Sequence, residues 1–284
     1  MTSLVGPHSV APAPGAQEMA AIAAIAHAEA GIVIAPGKTS MVQSRLAKRL
    51  RALSLQDYAS YIALVESAEG AEERRRMISS LTTNVSHFFR EAHHFELLRE
   101  KTLPPLISRL RRGGRARIWS AGCSTGQEAY SIAMTMLDMA PDVATQDFRI
   151  LATDIDPVVI VTGRTAVFES TACETIPPNL RQKFLEPVPG GMRIAAAARR
   201  LVSFRELNLH GAWPMKGRFD AIFCRNVVIY FDAQSQRKLW PRFAAALLPD
   251  GWLFVGHSER VPTVPAMGFE TVGITTYRLA TAKT

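Results

Sequence analysis

The chain is poor in cysteine: Cys123, Cys173 and Cys224 are its three among 284 residues. Widely spaced and odd in number, they offer neither a disulfide framework nor a Cys-x-x-Cys zinc site, which suits a reducing compartment. Long hydrophobic runs are also missing. The most apolar stretch, Met19 to Ile34, is largely alanine and carries His27 and Glu29, too short and too polar to span a bilayer. No basic start followed by an apolar run marks a secretory signal. A cytoplasmic protein that does not insert into membranes is therefore expected. Charge is lacking locally too. Met1 to Gly15 holds no Asp, Glu, Lys or Arg but three prolines and two glycines, so residues 1–16 are expected to form a disordered tail.

What is present suits a soluble globular chain, with 48% hydrophobic and 20% charged residues. Its length accommodates two unequal domains. A formal charge of +8 calls for an acidic partner, whether nucleic acid, an anionic membrane or a carboxylate-rich protein. Residues 17–81 read as an N-terminal helical domain of three or four helices. In Lys38 to Leu53, the side chains of Val42, Leu46, Leu50 and Leu53 recur on one side at helical spacing. Arg45, Lys48, Arg49 and Arg51 then make a basic stripe in a segment without acidic residues. Such a stripe is either a solvated face or a docking surface for an acidic helix or phosphate. Residues 82–91 are expected to be a linker contributing Asn84, Ser86 and Arg90 to an active site; otherwise they are a capped helix start whose phenylalanines fill a seam.

From residue 92 to 284 the pattern predicts an α/β domain. A helical stretch over 92–112, interrupted at Pro104-Pro105, leads into alternating elements. Strands are expected at 117–121, 148–153, 219–224, 252–256 and 275–279, and helices at 128–139, 157–167 and 233–248. Alternation of this kind argues for a doubly wound, mostly parallel, Rossmann-like sheet. The interval from about 170 to 207 departs from it. A short helix at 178–184 and strands at 192–195 and 201–206 predict a small antiparallel subdomain.

Chemistry is expected beyond the carboxyl ends of the strands. Ile118-Trp-Ser-Ala-Gly-Cys-Ser-Thr-Gly-Gln-Glu128 is a strand running into a turn bracketed by Gly122 and Gly126, then a helix. Its Gly-x-x-x-Gly spacing differs from the Gly-x-Gly-x-x-Gly that seats a pyrophosphate. A nucleoside without phosphates, such as S-adenosylmethionine, suits it better than a dinucleotide; an ordinary tight turn is the plain alternative. Asp154 stands at a strand end where a carboxylate can accept ribose hydroxyls or simply cap the next helix. Asp156 is close by, but with no His or Cys clustered beside the pair no metal is expected. His93 and His94, adjacent on a helix, are expected to point apart and to make poor joint ligands. Asn208, followed by Leu209, reads either as an adenine contact or as a turn residue. In Phe219 to Asp232 an apolar strand meets a polar break at Arg225-Asn226, and a second apolar run carries Tyr230.

Several blocks in order resemble the CheR-type chemoreceptor glutamate methyltransferases. They are Thr82-Thr-Asn-Val-Ser-His-Phe-Phe-Arg-Glu91, Ser120-Ala-Gly-Cys-Ser-Thr-Gly-Gln-Glu128 with Tyr130-Ser131, Ala152-Thr-Asp-Ile-Asp156, the Phe219 to Asp232 segment, and Gly256-His-Ser-Glu259. The likeness spans most of Gln17 to Leu279. It implies a helical N-terminal domain and a class I methyltransferase-like α/β domain with a small antiparallel β subdomain. The implied reaction moves a methyl group from S-adenosylmethionine to glutamate side chains of chemoreceptors, for adaptation in chemotaxis-type signalling. Its products are glutamyl methyl esters and S-adenosylhomocysteine. By position, Asn84, Ser86, Arg90, Glu128, Asp154, Asn208, Leu209, Asn226 and Val227 match the family's cofactor contacts. Arg90 and Tyr230 match groups near the transferred methyl. Cytoplasmic domains of chemoreceptors are the implied partners, which gives the basic stripe an acidic target and allows recruitment to membrane receptor arrays. A monomer that does not bind nucleic acid is expected. Ser86 replaces a frequent Thr, Gln127 a frequent Glu and Ala129 a frequent Pro. Two other readings compete. A nucleic-acid methyltransferase would typically carry Asn/Asp-Pro-Pro-aromatic where Arg225-Asn-Val-Val stands. A non-catalytic cofactor-binding signalling adaptor would have no need of Arg90, Glu128, Asp154 and Tyr230 together.

Overall fold

The computed structural model describes residues 13–262 and 267–280. Of the expected N-terminal tail, residues 1–12 lie outside the described residues. The chain divides into two units that meet in sequence at Thr83 and Asn84.

The first unit is helical: α1 Ala16–Ala30, α2 Thr39–Ala52, α3 Tyr58–Glu66 and α4 Ala71–Leu81. Helix α2 buries Val42, Leu46 and Leu50, the i, i+4, i+8 row that its sequence spacing prescribes. Helix α3 starts where Asp57 accepts the Ser60 amide at 2.7 Å, an N-cap. Inside the bundle, Glu73 is only 8% exposed. It accepts the fork of Arg49, Nε at 2.9 Å and Nη2 at 2.5 Å, together with the Tyr61 hydroxyl at 2.9 Å. Arg45 donates to the carbonyls of Leu81 and Thr82 and to Thr83 Oγ1. The expected basic stripe is thereby divided. Arg45 and Arg49 are committed to contacts within the unit, because a row of cations beside helix ends and a buried carboxylate finds partners there. Lys48 and Arg51 remain exposed.

The second unit begins with α5 Ala92–Leu97, a π turn over Leu98–Thr102, and α6 Leu103–Arg111. Then follow β1 Ala116–Ala121, α7 Gln127–Met139, β2 Phe148–Asp154, α8 Pro157–Thr165, β3 Val167–Phe168, α9 Pro178–Phe184, β4 Leu185–Val188, β5 Gly191–Ile194, α10 Ala196–Leu201 and β6 Val202–Glu206. The remainder is β7 Phe219–Cys224, α11 Ala233–Ala246, β8 Leu247–Val255, β9 Phe269–Gly273 and β10 Thr276–Leu279. The main sheet runs β6-β2-β1-β7-β8-β10-β9. Pairings from β6 to β8 are parallel, while β10 is antiparallel to β8 and β9. Alternate residues of one strand enter opposite cores: Ile118 packs in the layer of α7 and Trp119 in that of α11. All six residues of β7 are buried, as a central parallel strand covered on both faces requires.

Three expectations need correction. The strand expected at 201–206 does not join the antiparallel subdomain. Over Val202–Glu206 it pairs parallel with β2 at the edge of the main sheet, whereas the small sheet is β3-β5-β4. The helical interruption comes before Pro104-Pro105, not at them. Those prolines are the second and third residues of α6 and donate no N–H to the preceding turn, which widens so that the Leu103 amide reaches Leu98 O. Finally, β8 begins at Leu247, inside the expected helix 233–248, and edge strand β9 lies outside every expected element. Asp250, with φ 62°, lets β8 bend through Pro249 to Gly251.

Candidate active site

The sheet order reverses direction between β1 and β7, so ligand chemistry is expected where these strands end. Residues after β1, β2 and β7 converge there. Gly122 (φ 75°), Ser124 (φ 50°) and Gly126 (φ 95°) fold the β1–α7 turn through left-handed conformations. The amides of Gly122 and Cys123 both donate to Thr153 O at 2.8 Å, holding the turn against the end of β2. A Cβ on Gly122 would lie 2.3 Å from Val227 Cγ2, and one on Gly126 would lie 2.7 Å from Phe204 Cζ. Close approach here is thus between protein groups, so the glycines shape the turn before any ligand touches it.

Asp154 is 7% exposed. Its Oδ2 accepts the Ser124 amide at 2.8 Å and its Oδ1 the Asp156 amide at 3.1 Å. Burial raises its pKa against the lowering by these amides. Capping falls instead to Asp156, whose Oδ1 takes the Val158 amide of α8 at 2.9 Å. The second oxygen of Asp156 receives Asn84 Nδ2 at 2.7 Å, and the Asn84 carbonyl accepts Ser124 Oγ at 2.9 Å. Asn84 is thereby fastened to the glycine turn, 40 positions downstream.

Arg225 organises the other side. Its side chain is 3% exposed and lies 3.1 Å from Glu128 Oε2 and 3.3 Å from Glu91 Oε2. It also donates to the Arg90 carbonyl. Glu128 is held further by Ser120 Oγ at 2.6 Å. Burial raises its pKa, and the Arg225 charge works in the opposite direction. Arg90 donates to Val85 O at 3.2 Å and pairs with no carboxylate among the described residues.

Glu259, 4% exposed, gathers the amides of Gly256, Asn226, Val227, Val228 and Ile229 at 2.5 to 3.3 Å. That set fixes the loop after β7, where Asn226 adopts φ 59°. Tyr230 closes the short 3-10 turn Val228–Tyr230 and is half-buried.

The sequence-predicted residues Asn84, Glu128, Asp154, Asn226 and Val227 are tied into this arrangement. Among the described residues, the hydroxyls of Ser86 and Tyr230 have no hydrogen-bond partner. Asn208 Oδ1 accepts the His210 amide at 2.9 Å, the turn reading of that residue, and the Leu209 carbonyl is taken by Trp213 Nε1 and Arg242. Sequence reasoning passed over Arg225, Glu259 and Glu91 as individual site residues. The available signal was Arg225 itself, an arginine at the end of a strand otherwise apolar, because a buried arginine must have partners.

The expectation for the histidine pair is overturned. The His93 and His94 rings have centroids 4.2 Å apart, and one ligand-capable atom from each of Glu91, His93 and His94 lies within 4.8 Å of the others. Left-handed Glu91, φ 57°, turns its carboxylate back toward the first turn of α5.

Residues 84–278 match the model described as "CheR methyltransferase, SAM binding domain", and residues 17–82 match "CheR methyltransferase, all-alpha domain". The chain belongs to the CheR methyltransferase family. A probable chemotaxis protein methyltransferase of Rhizobium etli is 49% identical over 259 residues, covering 90% of this chain and 97% of the relative. The chemotaxis protein methyltransferase of Salmonella typhimurium is 39% identical, covering 92% and 90%. That of Escherichia coli is 41% identical, covering 84% and 82%. The CheR match makes the second unit an S-adenosylmethionine-binding methyltransferase domain. Among the described residues, no helix is long and apolar enough to cross a membrane.

Proposed function

We propose that the protein transfers the methyl group of S-adenosylmethionine to glutamate carboxylates on the cytoplasmic helices of chemoreceptors, forming glutamyl methyl esters. The observation that carries the substrate class is Arg90. Arg225 is already paired with Glu91 and Glu128, whereas among the described residues the Arg90 guanidinium has only the Val85 carbonyl. A guanidinium so placed is suited to a carboxylate arriving from outside the protein.

The residues present fit the cofactor. Each oxygen of Asp154 is anchored by one amide and retains acceptor capacity for a ribose hydroxyl. Glu128 offers a fixed carboxylate to an ammonium group. Asn84, Ser86, Asn208, Leu209, Asn226 and Val227 complete the proposed contact set. S-adenosylmethionine supplies the methyl group from a sulfonium centre. A glutamate with a pKa of ~4.3 is ionised at neutral pH, so the protein needs no general base. Arg90 orients the incoming carboxylate, and Tyr230 lines its approach; positioning of this kind is the chief contribution asked of the residues. In the helical unit, Lys48 and Arg51 are the exposed cations offered to an acidic receptor helix, with Arg45 and Arg49 shaping the surface behind them.

The test is incubation with methyl-labelled S-adenosylmethionine and either a receptor cytoplasmic fragment or nucleic acid. Base-labile label on the receptor fragment is expected. Base-stable label, or label in nucleic acid, overturns the proposal; cofactor binding without transfer to either would identify an adaptor.

A further inference from the structure

We infer that Glu91, His93 and His94 form a binding site for a divalent transition-metal ion, with zinc the best match to the donors. Three atoms carry the inference. Glu91 Oε2, His93 Nε2 and His94 Nδ1 are all buried, and none has a hydrogen-bond partner. They belong to the three residues whose ligand-capable atoms converge within 4.8 Å. Buried polar atoms left without partners are costly, and here three such atoms, all of metal-ligating types, lie together.

The tautomer of His94 sharpens the point. Its Nε2 faces the Ile274 carbonyl at 3.2 Å and Thr275 Oγ1 at 3.0 Å. A carbonyl only accepts, so Nε2 carries the proton of the neutral ring and Nδ1 presents a lone pair. That lone pair faces Glu91 Oε2 at 3.4 Å. Two acceptors directed at each other in a buried site repel unless a metal ion or a proton lies between them. The spacing is close to the ~3.3 Å edge of a tetrahedron with metal–ligand bonds of ~2.0–2.1 Å. A backbone carbonyl that takes the distal N–H of a ligating histidine is the usual outer support of a metal site. Glu91 is supported likewise, since its Oε1 lies 3.2 Å from both the amide and Nδ1 of His257.

A proton is the competing cation. His94 is wholly buried, and the Arg225 guanidinium lies beside the Glu91 oxygen that its Nδ1 faces, so a second positive charge on the ring is disfavoured. Arg225 supplies some positive charge, 3.3 Å from Glu91 Oε2, but it reaches neither imidazole within hydrogen-bond distance. Its charge opposes a metal, so the site binds more weakly than one without a neighbouring cation. Two histidines and one glutamate form a recognised zinc donor set with a fourth position open. The ion would clamp the Arg90–Glu91 segment to α5 and, through His94, to the turn between β9 and β10. None of this rests on the identity of the methyl acceptor.

The experiment uses the tag-free, full-length protein after chelator treatment. It is titrated with zinc by calorimetry and with cobalt(II) by visible absorption. One ion per chain is expected, with intense d–d bands typical of low coordination number and a melting temperature that rises with zinc. His93→Ala and Glu91→Gln should each weaken binding at least ~tenfold and abolish the thermal shift. Their folding in the absence of metal is checked by circular dichroism, and His93 is only partly buried, so its variant is the safer of the two. No binding by the wild type overturns the inference, as does equal binding in both folded variants. An imidazolium proton on His94 Nδ1 in zinc-saturated protein, detected by nitrogen NMR, also overturns it.

Discussion

Asp154 and Arg90 sit at the same site but are held in opposite ways, and their replacement should separate binding from turnover. Asp154 is anchored on both oxygens, so Asp154→Ala removes acceptors for the cofactor and leaves two buried amides unpaired. Charge-assisted hydrogen bonds are worth about 1.5–3 kcal/mol; affinity for S-adenosylhomocysteine, measured by calorimetric titration, should fall at least ~tenfold. Arg90→Ala should leave that affinity within a few-fold and lower turnover about 100-fold or more, as expected for loss of a group that positions the reacting carboxylate. Asp154 also predicts a pH dependence. Burial raises its pKa above the ordinary 3.8, and the ionised form is the one that accepts hydroxyl protons on both oxygens. Affinity should therefore weaken as pH falls toward that raised value, at a higher pH than an exposed aspartate would give, and become flat in Asp154→Asn. A flat profile in the wild type would contradict the ribose assignment.

At the level of elements, the loops between them carry as much design as the helices and strands. Glu259 is the clearest instance, for four amides of the β7 exit and that of Gly256 after β8 depend on one carboxylate. Glu259→Ala should cost about 3 kcal/mol or more, because several buried donors lose their partner at once; urea denaturation measures it. In α2, Arg49→Ala should cost about 3 kcal/mol by leaving the buried Glu73 carboxylate with the Tyr61 hydroxyl but no countercharge, whereas Lys48→Ala should be nearly neutral. The first step of that contrast was readable in the sequence: Val42, Leu46 and Leu50 fixed the buried side of α2. Which arginines turned inward was not, since Glu73 lies 24 positions away and sequence spacing says nothing of a partner on another helix. Strands β1, β2 and β7 were legible from their apolar runs, and so were Asp154 and Asn226 at their ends. Strand β6 was assigned to the wrong sheet because Val202–Glu206 follows the small sheet directly in the chain; pairing with β2 is a long-range choice. The convergence of His93 with His94 escaped for another reason. Helical spacing assumes ordinary backbone on both sides, and the left-handed Glu91 brings a carboxylate back over two rings that periodicity alone sends apart.

For the whole molecule, the charge of +8 should appear as salt dependence. If receptor helices are the substrate, raising ionic strength should increase KM for an acidic receptor fragment while leaving kcat nearly unchanged, because exposed charges are screened within about 10 Å at 0.1 M salt. Lys48→Glu combined with Arg51→Glu should have the same effect at low salt, and an unchanged KM would remove the docking role of this face. The family match itself covers both units, so the division at Thr83 and Asn84 separates a helical unit from the S-adenosylmethionine-binding unit.

Glu259 and Gly256 also constrain how this sequence can drift over generations. A Cβ on Gly256 would fall 2.6 Å from the Asn226 amide nitrogen and 2.8 Å from Glu259 Oε2. A new side chain at 256 therefore intrudes on the same carboxylate that a change at 259 would remove. Neither position can move first without disturbing the β7 exit, so a lineage seeking another solution there must change both at once or pass through a disabled intermediate. This corner of the protein should vary least among descendants that still methylate.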